Sequence, residues 1–488
     1  MFHDLLVIGG GINGTAIARA AAVAGRKVLL VEQGDLAQAT SSASTKLMHG
    51  GLRYLERYEF GLVHESLVER RIMLQTAPHL VRPLEFHIPH EAGMRPWPVM
   101  RIGLWFYDLL AWRGKLPRSR SVRLDDPALL KPGRRGFSYW DAWVDDARLV
   151  VLNALDAAEL GAIIRTRTRF MNAVRQDDGW AIMLDGPNGE ETHFARMIVN
   201  AAGPWVEQVL RSGFARETPV SRVRLVRGSH IVVARCFAGD HALLLQQPDG
   251  RIVFAIPYLG EHTLIGTTDA PVSEPEDARI SADETEYLLA AVNRYRRQPL
   301  TRADIVGSYA GIRALYDDGA GSASAVSRDY HFDLDRHFDR DRAGAPVLSV
   351  FGGKITTARH LADKALKRLG IRGGDTRDRP LPGGSFTDFT ALCDTARRCW
   401  PFLDDATIGR MASAYGTRIA EVMGDARSLE DMGQDFGAGL YAREVDYLAA
   451  KEWATCAQDI LWRRSKLGYR LTASQVDRLQ AYMAARAP

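Results

Sequence analysis

The chain is poor in cysteine: 488 residues hold only Cys236, Cys393, Cys399 and Cys456. With no CxxC pair and no metal-ligand grouping among them, a disulfide framework, a zinc module and a dithiol redox motif are excluded, and no metal is expected. Reduced thiols of this kind fit a cytosolic compartment. No apolar run approaches the roughly 20 residues that a bilayer-spanning helix needs. A formal charge of +4 is too small to imply nucleic-acid binding by itself. Internal repeats and low-complexity tracts are lacking too. What remains is an ordinary globular composition, 46% hydrophobic and 25% charged, at a length suited to two or three domains of about 100–200 residues each.

What the chain does have begins at its N-terminus. Leu5-Leu6-Val7-Ile8 reads as a strand, Gly9-Gly10-Gly11-Ile12-Asn13-Gly14 as a Gly-x-Gly-x-x-Gly turn, and the small-residue run after it as a helix. Val28-Leu29-Leu30-Val31 is a second strand, ending on Glu32. A dinucleotide site requires that order. Gly9 permits the turn off the strand, Gly11 lets backbone approach a pyrophosphate, and Gly14 lets the helix pack on the strand. The helix N-terminus directs N–H groups and partial positive charge at the phosphates. Glu32, 18 positions beyond Gly14, is placed to accept from a ribose 2′-hydroxyl and would repel the 2′-phosphate of NADP. The glycine-rich start is therefore a nucleotide turn and not a signal peptide.

Periodicity predicts a helix over 62–75, another over 149–160 after the acidic start Asp145-Asp146, and strands from 163 to 199. These end on Ala201-Ala202-Gly203-Pro204-Trp205, a small-residue turn suited to closing over a flavin. A second strand-rich block covers 222–269, and Ser281 with Glu284 forms a capping box. The nucleotide layer is expected to resume at 304–309 and 346–351, the latter running into Gly352-Gly353-Lys354 and a helix over 355–369. Residues 370–385 have the glycine and proline of a linker. Past it come a long periodic helical segment over 441–466 and a last helix from Thr472 and Gln475. The predicted domains are a discontinuous nucleotide-binding domain (1–75, 145–215, 300–370), a substrate or cap domain (76–144, 216–299), a linker (371–385) and a helical domain (386–488).

The densest chemistry lies in Thr40-Ser41-Ser42-Ala43-Ser44-Thr45-Lys46-Leu47-Met48-His49-Gly50-Gly51-Leu52-Arg53-Tyr54. Hydroxyls and N–H groups suit flavin carbonyls and phosphates. Gly50 and Gly51 suit close passage over a ring. Arg53 can fork onto a phosphate, and His49 can take a hydroxyl proton near neutral pH. A polar loop with a solvated arginine has the same composition. Gly311-Ile312-Arg313 places a cation where a strand leaves its sheet, or a surface arginine. Gly352-Gly353-Lys354-Ile355-Thr356-Thr357 sets a helix N-terminus behind two glycines, where it would stabilise the negative charge of a reduced flavin. Gly266-Thr267-Thr268-Asp269 offers hydroxyls, or a plain turn.

Together these segments resemble the FAD-dependent glycerol-3-phosphate dehydrogenases, respiratory enzymes of bacteria and mitochondria. The strings that carry the resemblance include VIGGGINGTAIARAAAVAG, TSSASTKLMHGGLRYLE, VNAAGPWV, RGSHIVV, IVFAIPYLGEHTLIGTTD, AGIRALYDD, SRDY and LSVFGGKITTARHLADKAL, with DILWRRSKLG near the C-terminus. The resemblance implies an α/β fold: a Rossmann-like FAD domain of the glycine and sarcosine oxidase type, a mixed-sheet substrate domain and a C-terminal helical domain. It implies oxidation of sn-glycerol 3-phosphate to dihydroxyacetone phosphate, with electrons passed from FAD to membrane quinone. Carried over by motif, His49 and Arg313 are the catalytic candidates, and Arg53, Tyr54, Thr268, Arg313 and Lys354 surround the substrate. The FAD set is Gly9, Gly11, Asn13 and Gly14; Glu32 and Gln33; Thr40, Ser41, Ser42, Ser44, Lys46, Leu47, His49, Gly50 and Gly51; Ala202, Gly203 and Trp205; and Gly352, Gly353, Lys354, Ile355 and Thr356. Ala314 stands where the family usually has proline, which is expected to loosen the backbone after Arg313. Ala202 replaces a usual threonine.

Hydride must leave C2 for flavin N5 while the C2 hydroxyl loses its proton, and a dianionic phosphate supplies remote binding energy to hold C2 in place. His49 is the candidate base, with positioning of flavin or substrate as its alternative role. An oxidase passing electrons to oxygen would keep the same residues, and a non-catalytic FAD-binding redox sensor would not need the phosphate cage. Quinone is confined to the bilayer, so the resemblance also implies a peripheral protein on the inner face of the cell membrane. The contact expected is the stretch 95–123, where Arg95, Arg101, Arg113, Lys115, Arg118, Arg120 and Arg123 frame Trp97, Trp105, Phe106, Tyr107, Leu109, Leu110 and Trp112. A buried helix with snorkelling arginines is the other reading of that stretch. A homodimer is carried as a further partnership, and nucleic acid is not.

Overall fold

The strand Phe2–Ile8 runs through the middle of an eight-stranded sheet, with Val28–Val31 and Gly189–Asn200 parallel to it on either side. Ile163–Arg165 extends one flank. Arg342–Phe351 and then the antiparallel His331–Asp339 extend the other. The computed structural model describes all residues except 1, 56–57, 92, 112–113, 215–222, 318–329, 340–341 and 487–488, and the side chains of 53–54, 336–339 and 342–343. Leu5–Ile8 and Val28–Val31 at the centre are apolar and buried because both faces are covered. Helices Ile12–Val23, Asp146–Glu159 and Ala358–Leu369 pack on one face. Trp180, Ile182 and Leu184, from the hairpin strand before Gly189–Asn200, pack on the other. A Cβ on Gly14 would stand 1.9 Å from the Gly9 carbonyl oxygen, so only glycine lets the first helix start this close to the strand. The helix predicted over 62–75 is Phe60–Thr76, and the one over 149–160 is Asp146–Glu159, capped where Asp145 accepts from the Arg148 N–H.

A second, ten-stranded sheet is built from Val81–Pro89, Arg120–Leu124, Arg134–Val144, Val223–Ala234 and the strands 242–266, with Leu47–Met48 at one end. Ala282–Asn293 packs behind it, starting in the predicted Ser281–Glu284 capping box. Ile305–Tyr316 corrects the domain reading. Expected in the nucleotide layer, it pairs antiparallel with Val223–Ala234 in this second sheet. Its exposure alternates at first between half-buried and solvent-facing, the pattern of a strand covered on one side rather than of a buried parallel strand.

Residues 386–486 form a helical domain around its own core, with caps from Asp388, Asp404 and Thr472. The segment 441–466 is not one helix. Ala442–Glu452 stops where Trp453 turns left-handed (φ 59°), and a wide π-helical turn, Asp459–Arg464, follows. The break aims charges at the nucleotide domain. Arg464 donates twice to Asp35, at 2.6 and 2.7 Å, and Arg148 pairs with Glu452, all four side chains being buried. Among the described residues no helix is long and apolar enough to cross a membrane.

Candidate active site

A cavity of about 940 Å³ is lined from both sheets. Gly9, Gly11, Asn13, Glu32, Gln33, Thr40, Ser41, Ser44 and Leu47 line it, as do Ala202, Gly203 and Trp205 and the run Gly352, Gly353, Lys354, Ile355 and Thr356. The helix Ile12–Val23 begins here with no acid in its first turn and no side-chain cap from Gly11. The Asn13 amide donates to the Gly352 carbonyl at 3.0 Å, joining the two glycine turns, while its Oδ1 is buried with no protein partner. Glu32 accepts from the N–H groups of Gly10 (2.7 Å) and Gly34 (2.8 Å). Burial raises its carboxyl pKa against the opposing pull of those two donors. Ser41 Oγ accepts from the Ile12 N–H at 3.0 Å, binding the polar loop to the helix start. An N-terminal dipole without its own counter-charge, an orphaned amide oxygen and a carboxylate at the second strand's end fit a dinucleotide: pyrophosphate at the first, ribose at the last.

The same cavity also carries ionisable and aromatic side chains. His49, Lys354 and Arg313 line it together with His230, Phe254 and Asp269. Lys354 precedes the turn Ile355–Thr357, which runs directly into Ala358–Leu369, so cation and helix N-terminus share one place, as predicted. Arg313 is not a loose cation. It is ion-paired with Asp269, and its Nη2 donates to Thr267 Oγ1 at 3.2 Å. The backbone after it is not loosened by Ala314 either, because Arg313 opposite Val226 and Ala314 opposite Leu225 lie inside a continuous ladder.

Sequence reasoning missed His230 and Asp269, although both stand in strings that carried the resemblance. His230 is buried, bonded at 3.0 Å to Thr45 Oγ1 and stacked on Tyr309. Burial first, then the charges of Lys46 and Arg313, holds its pKa well below the usual histidine range, so it is neutral.

Several predicted contacts are replaced by structural roles. Lys46 does not line the cavity: its ammonium is buried, donating to Asp146 (2.8 Å) and to the Ser42 carbonyl (3.0 Å). Ser42 lines a neighbouring cleft instead. The Thr268 hydroxyl is committed, accepting from the Ser229 N–H at 2.9 Å and donating to Glu284 at 2.6 Å, so it is no substrate ligand here. Gly14 and Gly50 are packing glycines and do not line the cavity. Arg53 and Tyr54 belong to the short helix Leu52–Leu55, and their side chains lie outside the described residues.

A dinucleotide cradle on a sheet with a parallel centre, in a cavity shared with a second, mostly antiparallel sheet, fits an FAD-dependent oxidoreductase. Residues 4–332 match the FAD dependent oxidoreductase family, and residues 374–487 match the C-terminal domain of alpha-glycerophosphate oxidase. The chain is 48% identical to a glycerol-3-phosphate dehydrogenase of Pseudomonas aeruginosa, over all of this chain and 96% of that one. It is 47% identical to the D-erythritol 1-phosphate dehydrogenase of Brucella abortus, over 97% of this chain and 96% of the relative. The glycerol-3-phosphate dehydrogenase from Bacillus halodurans, solved with FAD, superposes with a TM-score of 0.74 at 25% identity, covering 99% and 94% of the two chains. This chain belongs to the FAD-dependent glycerol-3-phosphate dehydrogenases.

Its cofactor is FAD, and no cysteine lines the cavity to offer a thioether link. Acid precipitation is expected to release the yellow flavin into the supernatant. Flavin retained in the pellet would show a covalent bond, with His49 the candidate.

Proposed function

We propose that the protein oxidises sn-glycerol 3-phosphate at C2 to dihydroxyacetone phosphate and that membrane quinone reoxidises the flavin. The observation that supports this reading is that Lys354, Arg313 and His49 all line the same cavity as the dinucleotide cradle. FAD, when bound, accepts the hydride. The chain's own residues do the rest: Lys354 and Arg53 hold the phosphate, Arg313 orients the C2 oxygen from its fixed place on Asp269, and His49 takes the hydroxyl proton. Each charge-assisted bond to phosphate is worth about 1.5–3 kcal/mol. Lys354→Ala and Arg53→Ala are therefore expected to raise KM for glycerol 3-phosphate by one to two orders of magnitude, and glycerol should be a very poor substrate. Equal kcat/KM for glycerol and its phosphate would end the phosphate assignment.

The near-equal identity to the erythritol-phosphate enzyme supports a second reading, a four-carbon polyol phosphate as substrate. The ratio of kcat/KM for D-erythritol 1-phosphate and glycerol 3-phosphate separates the two. Peroxide yield against quinone reduction separates an oxidase from a dehydrogenase, and anaerobic bleaching by substrate separates either from a redox sensor.

The proposed membrane contact is the outer face of the helix Trp97–Leu110, which places the protein at the inner face of the membrane. Ile102 (65% exposed), Trp105 (55%), Val99 and Leu109 recur at helical spacing on that face, with Tyr58 and Phe60 beside them. Exposed Arg95, Lys115 and Arg118 lie in the chain on either side of the helix, so an anionic lipid surface is the occupant whose charge matches, whereas Arg120 and Arg123 sit on the strand Arg120–Leu124, paired with Glu85 and Asp125. Trp112 and Arg113 lie outside the described residues. Trp97 is instead packed on Phe137, with ring centroids 4.0 Å apart. Serine at both Trp105 and Phe106 is expected to abolish most sedimentation with anionic vesicles while leaving activity with a soluble dye; unchanged sedimentation would move the contact elsewhere.

A further inference from the structure

The inner face of that same helix reaches the catalytic loop. Tyr107, on the turn opposite the exposed stripe, is buried, and its hydroxyl oxygen accepts from the Gly50 N–H at 2.9 Å. The hydroxyl donates to Asp141, whose two oxygens both lie at 2.8 Å, and Asp141 is in turn paired with buried Arg70. Gly50 sits between His49 and Gly51, which both line the cavity. A Cβ at position 50 would stand 2.7 Å from the Tyr107 oxygen and 2.7 Å from Leu67 Cδ2, so the loop approaches the helix as closely as glycine allows. Burial, then the Asp141 charge, keeps the phenol protonated and able to donate.

We propose that Tyr107 is a positioning residue that couples the membrane-facing helix to the catalytic loop: docking of the outer face on lipid steadies the helix, and through the Gly50 hydrogen bond steadies His49. The coupling rests on the membrane contact proposed above. A one-ångström displacement of a reacting group can cost two orders of magnitude in rate, so even partial ordering of this loop is visible in turnover. The Arg70–Asp141 pair anchors the far end of the chain, since Asp141 lies on the rigid strand Arg134–Val144 that also pairs with Val81–Pro89. The Gly50 N–H also lies 3.4 Å from Asp141 Oδ1, so helix, loop and strand meet at one carboxylate and the Tyr107 hydroxyl is the helix's share of that junction.

The test uses full-length holoenzyme, a soluble dye acceptor that needs no membrane, and vesicles of phosphatidylglycerol and phosphatidylethanolamine. Vesicles are expected to raise kcat/KM for glycerol 3-phosphate about 2–10-fold in the wild type, the size of one neutral hydrogen bond. Tyr107→Phe is expected to keep FAD and vesicle sedimentation but to lose that increase, with the change falling on kcat rather than on KM. Ile102→Ser with Trp105→Ser is expected to keep basal dye activity and lose both sedimentation and the increase. Full vesicle activation of Tyr107→Phe, or a wild type that sediments with vesicles and shows no activation, overturns the coupling while the membrane contact stands. A wild type that does not sediment with vesicles overturns both. Because Tyr107→Phe can compromise folding, backbone hydrogen exchange of residues 49–51 in the wild type is measured with and without vesicles. Slower exchange on vesicles supports the coupling and unchanged exchange overturns it.

Discussion

Replacing His49 with asparagine is expected to leave the fold and the FAD in place and to slow anaerobic flavin reduction by glycerol 3-phosphate about 10²–10⁴-fold, the range for loss of a positioned general base. His49 lines the cavity where Lys354 and Arg313 also reach it, and it follows the short strand Leu47–Met48 that enters the second sheet. The other histidine on the cavity, His230, is buried and neutral, bonded to Thr45 and stacked on Tyr309, so it is tied to structure rather than to proton uptake from substrate. Stopped-flow reduction measured across pH decides the matter. If the asparagine variant reduces its flavin at near wild-type rates over the whole profile, water takes the proton and His49 only positions the substrate.

Glu452→Ala is expected to destabilise the holoenzyme by about 3–5 kcal/mol, the cost of breaking a buried ion pair from one side. Glu452 is fully buried and holds Arg148, whose Nη2 donates to it at 3.0 Å. Arg464 packs against the same carboxylate and donates to the Glu452 carbonyl oxygen at 2.6 Å. Truncation leaves the Arg148 guanidinium in the interior with no carboxylate. Because Arg464 also carries Asp35, three residues past Glu32, flavin release is expected to accompany the unfolding transition. Urea denaturation followed by flavin fluorescence measures both. Replacing the pair together, Arg148→Met with Glu452→Leu, should recover most of the loss; a single-variant loss under about 1 kcal/mol would show that the pair is not fully desolvated.

The nucleotide cradle was legible because it is local. Strand, glycine turn, helix and terminal acid lie within 32 residues, and each acts through its own backbone geometry. The helix caps at Asp145, Ser281 and Thr472 were legible for the same reason. Lys46, Ser42, Gly50 and Thr268 were not, because proximity in sequence to a site says nothing about which way a side chain turns. Lys46 meets Asp146 a hundred residues later, and Thr268 meets Glu284 behind the sheet. The strand Ile305–Tyr316 was assigned to the wrong layer because a run of small and apolar residues does not name its neighbour.

By itself the sequence determined that this is a flavin enzyme built on a glycine-turn nucleotide motif, since turn chemistry and motif spacing act over short stretches of chain. Only the tertiary structure decided the rest. Arg313 is oriented by Asp269, Lys46 serves the fold, the C-terminal domain clamps Asp35 near Glu32, and the exposed helix reaches the loop at Gly50 through Tyr107. Those assignments depend on which charges and hydroxyls meet after folding. A buried polar group must find a partner wherever one is available, and that partner is chosen by packing across hundreds of residues.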